Sequence, residues 1–268
     1  MSHLFIFGMG YSAQVIATRA RAQGWQVTGT GRASDLAFDD DTKVRAALAH
    51  ATHILSSVPP ADDTDPVLAR YANSFTPAHW LGYLSSTGVY GDTGGAWVDE
   101  TAPIGGDIRQ TRRAPRAAAD ARWLALGARV LRLPGIYGPG RSALDRVRAG
   151  AHRINAPDQV FSRIHVEDIA SGALAALAAP PGAYNLADDF PCHPNLPIEQ
   201  ACRLLRLPMP PLQSLDEAAL SPQARAFYAE NRRIANGKAK RLLHWRPRYP
   251  TYADGLVAIW AAIRQSGG

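Results

Sequence analysis

The chain has 268 residues, 46% hydrophobic and 19% charged, with a net charge of +6. This length and balance exclude a largely disordered chain and fit one large α/β domain, or one domain with an added lobe. No run of about eighteen apolar residues occurs, so no membrane span and no membrane partner are expected.

The basic surplus raises the question of nucleic acid. Of the 29 basic residues only Lys43, Lys238 and Lys240 are lysines; the arginines are scattered, with a modest cluster from Arg232 to Arg248. Without interleaved aromatics this reads as a solvated basic surface, and no nucleic-acid partner is expected. Cys192 and Cys202 form neither a Cys-x-x-Cys pair nor a cluster with histidine, and the eight histidines lack ligand spacing. Reduced thiols and no metal site are therefore expected. The start carries no basic n-region or cleavage site, so a cytoplasmic location is expected.

In chain order, His3-Leu4-Phe5-Ile6-Phe7 reads as a buried strand, followed by a glycine turn and a helix to about Gln23. The turn, Gly8-Met9-Gly10-Tyr11-Ser12-Ala13, has the Gly-x-Gly-x-x-Ala spacing of a dinucleotide-binding fingerprint. Gly8 permits the tight turn, Gly10 lets backbone approach a pyrophosphate, and Ala13 lets helix pack on strand. The N–H groups of Tyr11, Ser12 and Ala13 then open a helix whose positive end favours phosphate.

Further strands are expected at Trp25 to Thr30, His53 to Val58, His79 to Ser85, Arg129 to Leu133 and Tyr184 to Leu186. Helices are expected at Pro66 to Ser74, Pro115 to Leu126 and Glu167 to Ala179, with Gly135 to Gly140 as a turn-rich loop. This alternation indicates a parallel, doubly wound sheet. From Pro191 onward, proline breaks and short helices (Pro197–Leu205, Ser221–Glu230, Tyr252–Arg264) read as a smaller C-terminal lobe over the carboxyl ends of the strands. The expected division is a dinucleotide-binding domain over 1–187, with a substrate-lobe insertion near 138–163, and a substrate lobe over 188–268. Ligands of open α/β sheets sit outside the carboxyl ends of strands, so Val58, Pro59 and Pro134 join the expected cofactor contacts.

The second strand bears on which dinucleotide is bound. An NAD-selecting fold places an acidic residue at its end to bond the ribose 2′-OH. This chain instead reads Thr28-Gly29-Thr30-Gly31-Arg32-Ala33-Ser34-Asp35. Arg32 stands where a guanidinium can pair with a 2′-phosphate, so NADP is favoured and NAD remains the alternative.

Four later stretches resemble one family, the extended short-chain dehydrogenases/reductases of the NAD-dependent epimerase/dehydratase group. They are Leu84-Ser85-Ser86-Thr87-Gly88-Val89-Tyr90-Gly91, Arg132 to Gly140, Arg163 to Ala170, and Tyr184 to Asp189, in the family's order. The resemblance implies a Rossmann fold, a nicotinamide cofactor, a C-terminal substrate lobe and a homodimer through the Pro115–Leu126 helix. It also implies a role for Ser86, which matches the family's catalytic Ser/Thr and would polarise a substrate carbonyl or alcohol. Thr87 stands beside it and is a substitute.

One part of the family pattern is missing. Its Tyr-x-x-x-Lys pair uses a phenol as acid/base and an ammonium that lowers the phenol's pKa. The segment from Glu100 to Arg116 contains no tyrosine, and no lysine occurs between Lys43 and Lys238. Thr111 is the nearest hydroxyl. Arg112, Arg113 and Arg116 can stabilise an oxyanion but stay protonated. Tyr90 and Tyr137 are alternative acids, although packing roles suit them better. Arg141, Arg146, Arg148, His152, Arg153 and Arg163 lie where relatives that recognise nucleotide sugars meet substrate phosphate, which would suit a small anionic substrate. His165 and Asp168, at a helix start, read as structural. The resulting expectation is an NADP-dependent oxidoreductase or epimerase-like enzyme with a non-standard proton donor. The competing reading is a catalytically silent NADP-binding sensor or regulatory protein.

Overall fold

The structure, a computed structural model, describes residues 2–32, 34–104 and 114–266. Its first third alternates strand and helix: β1 (His3–Phe7), α1 (Tyr11–Ala22), β2 (Gln26–Thr30), α2 (Asp41–His50), β3 (His53–Ser56), α3 (Pro66–Tyr71) and β4 (Trp80–Ser86). A two-residue β5 (Trp97–Val98) precedes α4 (Ala114–Ala125), β6 (Arg129–Leu133), β7 (Gly135–Tyr137), α5 (Ala143–Arg148) and β8 (Arg153–Ile154). The chain continues with β9 (Arg163–His165), α6 (Val166–Ala175), β10 (Gly182–Asn185), α7 (Asn195–Leu205), β11 (Leu212–Gln213), α8 (Pro222–Tyr228), β12 (Arg233–Ile234), α9 (Gly237–Leu242) and α10 (Tyr252–Ser266).

Six strands pair in parallel in the order β10-β6-β4-β3-β1-β2. Strand direction from strand to strand is uniform, but the winding reverses between β1 and β3. In open α/β sheets a ligand binds outside the carboxyl ends of the strands at such a switch point. β1 shows why the sheet is covered twice. Leu4 and Ile6 enter one core with Ala13, Ile16, Ala17 and Ala20 of α1 and Ile169, Ala170 and Ala173 of α6. Phe5 and Phe7 enter the opposite core with Val44, Leu48, Leu68, Ala119 and Trp123 from α2, α3 and α4. An uninterrupted apolar strand is what burial on both faces demands. A third core, of Leu144, Ile198, Cys202, Leu256 and Ile259, joins α5, α7 and α10 under the C-terminal lobe.

Local signals set several boundaries. Asp65 caps α3 by accepting from Val67 N and Leu68 N, both at 2.9 Å, and its other oxygen accepts from Trp123 Nε1 at 2.7 Å. Pro66 occupies the first helical position, where its missing N–H is harmless. Ser142 and Asp145 form a reciprocal capping box on α5. One sequence expectation is corrected here. Gly135 to Tyr137 is not loop but β7, which pairs with β9 outside the main sheet. The glycine-proline content of Gly138 to Gly140 masked a short extended segment before it.

Candidate active site

The glycine turn is pinned from both sides at the switch point. Gly8 has φ +82°, and a Cβ there would stand 2.9 Å from Val58 Cγ2 and 3.1 Å from Ser57 Oγ. Glycine is thus required for conformation and for space. Gly8 N donates to Thr30 Oγ1 at 3.2 Å, Met9 N to Thr30 O at 2.8 Å, and Ser57 Oγ to Gly8 O. The ends of β2 and β3 therefore hold the turn. Gly10 behaves differently: a Cβ there would meet nothing within 4 Å. It caps α1 without a side-chain bond, and the first turn of α1 holds no acidic residue. The open flank of Gly10 and the leading N–H groups of α1, from Tyr11 to Ala13, form a cradle for an anion. Ala13 is buried against the sheet.

Beyond β2 the chain folds back on itself. Gly31 N donates to Leu36 O and Leu36 N to Gly29 O, both at 3.3 Å. Arg32 and Asp35 are exposed on this loop, two and five residues past the end of β2. Across the switch point, Val58 packs half-buried beside Gly8 and Pro59 is exposed. Pro134 is half-buried where β6 gives way to β7.

Ser86 ends β4 on the same carboxyl edge, two strands from the glycine turn. At about 4.8 Å per strand this is a lateral separation of about 10 Å. Its Oγ accepts from Gly88 N at 3.1 Å, capping a single 3-10 turn over Thr87–Tyr90. The accepting bond leaves the hydroxyl hydrogen to donate. Thr87, beside it, is buried at 4% exposure, whereas Ser86 is half-buried.

A buried polar network lies directly behind this serine. Ser85 Oγ donates to Asp120 Oδ2 at 2.6 Å. Arg132 pairs with the same carboxylate through Nη2–Oδ1 at 2.8 Å and Nε–Oδ2 at 3.1 Å. Arg132 Nη1 donates to Tyr90 Oη at 2.9 Å, and Tyr90 Oη donates to Asn185 Oδ1 at 2.7 Å. Asn185 N donates in turn to Glu100 Oε1 at 2.6 Å. The register sets Ser85 beside Arg132 and Arg132 beside Asn185, so three strands present this row at one level. Two members of the network, Ser85 before the turn and Tyr90 at its end, flank the segment that Ser86 caps.

These contacts decide between the roles open to the tyrosines. Tyr90 gives its hydrogen to Asn185 and accepts from Arg132, and burial raises its pKa above the ordinary phenol value. Tyr137 is buried against Gly255, donates to Thr251 O at 3.4 Å, and burial raises its pKa strongly. Both hydroxyls are engaged in hydrogen bonds within the fold. Thr111, Arg112 and Arg113 lie outside the described residues. Arg116 stands on the first turn of α4; the nearby Tyr83 has its pKa raised by burial, which the Arg116 charge only partly offsets.

His165 and Asp168 hold the lobe together. His165 caps α6 by accepting from Glu167 N at 3.2 Å, its ring lies 4.3 Å from that of Tyr249, and burial pushes it down to about 4. Asp168 accepts from Arg248 N at 2.6 Å and Tyr249 N at 3.1 Å. Asp188, buried and accepting from Phe190 N at 3.2 Å, is pushed up to about 8 by burial. The arginines of the 138–163 segment divide by partner. Arg153 bonds Pro210 O and pairs with Glu199, and Arg163 bonds Phe161 O and Cys192 Sγ. Arg148 lies over Trp260 and Arg141 over Tyr11, while Arg146 and His152 are exposed. Among the described residues no cluster of three or more His, Cys, Asp and Glu is placed to hold a metal, and no helix is long and apolar enough to cross a membrane.

The pairing of Asp120 with Arg132 was missed by motif reading, although Arg132 and Asn185 stand in stretches that it quoted. The pairing's signal was available: a charged residue at the fourth position of Arg129-Val130-Leu131-Arg132-Leu133, and one acid on the alanine-rich α4. A buried arginine in a central strand requires a buried carboxylate.

Comparison with protein-family models finds no match. Among curated proteins, the chain is 29% identical over 253 residues to protein YeeZ of Escherichia coli (strain K12), covering 81% of this chain and 89% of that one. It is 30% identical over 178 residues to a 3-diazoavenalumate denitrifying reductase of Streptomyces sp, covering 59% and 58%. Among solved structures, a functionally unknown conserved protein from Silicibacter pomeroyi DSS superposes with a TM-score of 0.86 at 41% identity, over 98% of this chain and 99% of that one. The Bacillus anthracis dTDP-glucose 4,6-dehydratase in complex with NAD superposes at 0.77 with 15% identity, over 99% and 97%. A human epimerase family protein with NADPH superposes at 0.74 with 17% identity, over 96% and 99%. The last two likenesses, both under 25% identical, are of fold alone; the first of those proteins was solved with NAD and the second with NADPH.

Proposed function

We propose that this chain, which belongs to one family with the Silicibacter pomeroyi protein and carries the epimerase/dehydratase fold, is an NADP-dependent oxidoreductase or epimerase-like enzyme. The observation that carries the proposal is the pairing, on one carboxyl edge, of an open glycine cradle with a serine turn braced from behind by a buried ion pair. Gly8, Gly10, Tyr11, Ser12 and Ala13 would hold the diphosphate, Arg32 the 2′-phosphate, and Val58, Pro59 and Pro134 would line the crevice. The bound nicotinamide would exchange a hydride with a substrate carbon. Ser86 would donate its hydrogen to the oxygen on that carbon, holding it in place and stabilising negative charge as it builds. The proton itself comes from a group other than a Tyr-Lys pair. A relative named as a reductase supports redox chemistry. The exposed Arg146 suits an anionic small molecule, and α4 suits a homodimer contact.

The test follows nicotinamide absorbance in the full chain with NADPH and a panel of carbonyl substrates. Turnover that falls at least a hundredfold in Ser86→Ala, with NADPH affinity retained, supports the enzyme. One observation favours the second reading: Tyr90 and Tyr137 are both bonded away from the crevice. Tight NADPH binding without turnover over the whole panel would favour the sensor instead.

A further inference from the structure

We infer that Arg141 is a clamp on the diphosphate that NAD and NADP share, a role that rests on the dinucleotide reading of the glycine turn. Gly138 and Arg141 close a tight turn, with Gly138 N donating to Arg141 O at 3.3 Å and Arg141 N to Gly138 O at 3.0 Å. Gly140 takes φ +70° at the turn's third position, after Pro139, as a type II turn requires. This turn is tied directly to the phosphate cradle. Tyr11, the first residue of α1, donates its hydroxyl to Pro139 O at 3.0 Å across 128 residues of sequence. The guanidinium carbon of Arg141 lies 5.8 Å from the centre of the Tyr11 ring. A cation held over that ring stands beside the helix end whose N–H groups point at the cradle.

The neighbouring carboxylates are already engaged. Asp145 accepts from Ser142 N at 2.8 Å and Ser142 Oγ at 2.6 Å. Glu167 pairs with Arg19 through Nη2 and Nε at 2.5 and 2.7 Å. Among the described residues no carboxylate pairs with Arg141, which is exposed. A guanidinium anchored at its ring and otherwise without a counter-ion suits a phosphate oxygen. The two arginines at the cradle then divide the anion. Arg32 reads the 2′-phosphate, which only NADP has, and Arg141 grips the diphosphate, which both dinucleotides have.

Titration of the full chain with NADH and with NADPH, read by nicotinamide fluorescence, separates these roles. Arg141→Gln should raise both dissociation constants by a similar factor, about tenfold to a hundredfold, the range for a lost bond to a charged group. Arg141→Lys should recover part of the loss, and Arg32→Gln should raise the NADPH constant alone. The ligand-free melting temperature of Arg141→Gln should match that of the parent. Unchanged constants in Arg141→Gln, or a change confined to NADPH, would overturn the clamp and leave the dinucleotide reading intact. A parent chain that binds neither dinucleotide would remove both.

Discussion

Replacing Asp120 by alanine should destabilise the fold severely. The carboxylate and the Arg132 guanidinium are 0% and 2% exposed, so neither has water to fall back on. Asp120→Ala strands the guanidinium without its two carboxylate bonds and leaves Ser85 Oγ without its acceptor; only the Tyr90 contact survives. Breaking one side of a buried pair costs about 3–5 kcal/mol. In a chain of this size about 2–4 °C is lost per kcal/mol, so a fall of about 10 °C is expected. Urea unfolding of Asp120→Ala, Arg132→Met and the double variant completes a cycle. The double variant should be more stable than either single one, because it removes the stranded charge with the pair. Loss below about 1 kcal/mol in Asp120→Ala, or additive losses in the double variant, would refute the pair as a coupled buried unit.

The two glycines of the turn should respond in opposite ways. Gly8→Ala strains a positive φ and crowds Val58, costing about 1–3 kcal/mol in urea unfolding. Gly10→Ser enters open space and adds a favourable helix cap, so stability should hold or rise while NADPH affinity falls at least tenfold; unchanged affinity would count against the cradle. The pH dependence of stability has a defined sign. Burial pushes Asp188 up to about 8, so the folded chain keeps a proton that the unfolded chain releases above about pH 4, and stability falls as pH rises through this window. His165, pushed down to about 4, refuses a proton that the unfolded chain accepts below about pH 6.5, so stability falls as pH drops from there. The two effects oppose each other between about pH 4 and 6.5, leaving a decline from about 6.5 to 8 that Asp188→Asn should abolish. Equal pH profiles for the two chains over that range would refute it.

Much of the sheet was legible because its strands are apolar runs set between glycine and proline breaks. Arg129–Leu133 and the Gly8–Ala13 turn stand where the sequence puts them, since both depend on local chemistry. The short pairs β5 with β12 and β8 with β11 were not legible: each joins two-residue segments far apart in sequence, too brief to show a period. The same limit hid the site's brace. Asp120, Arg132, Tyr90 and Asn185 come from four elements, and only the sheet order sets them at one level. Ser86 was singled out through its resemblance to a family motif, while its bond to Gly88 N emerges only from the fold.

The proposed binding and the proposed chemistry rest on different physical supports in this chain, and they should fail separately. The cradle is made of backbone N–H groups and an open glycine flank, so Gly10→Ser should move affinity and leave folding alone. The serine turn is held by buried charge, which is an expensive way to hold a loop. Apolar side chains in place of a buried ion pair are often neutral or stabilising by about 1–4 kcal/mol. Stability alone therefore does not account for Asp120 and Arg132 under β4. Under the proposed function, fixing Ser86 would account for them, because Asp120 holds Ser85 before the turn and Arg132 holds Tyr90 at its end. A double variant, Asp120→Leu with Arg132→Met, separates the two explanations. If it folds as well as the parent and binds NADPH equally but has lost turnover, the brace serves Ser86. If turnover survives intact, the buried pair has no part in the chemistry.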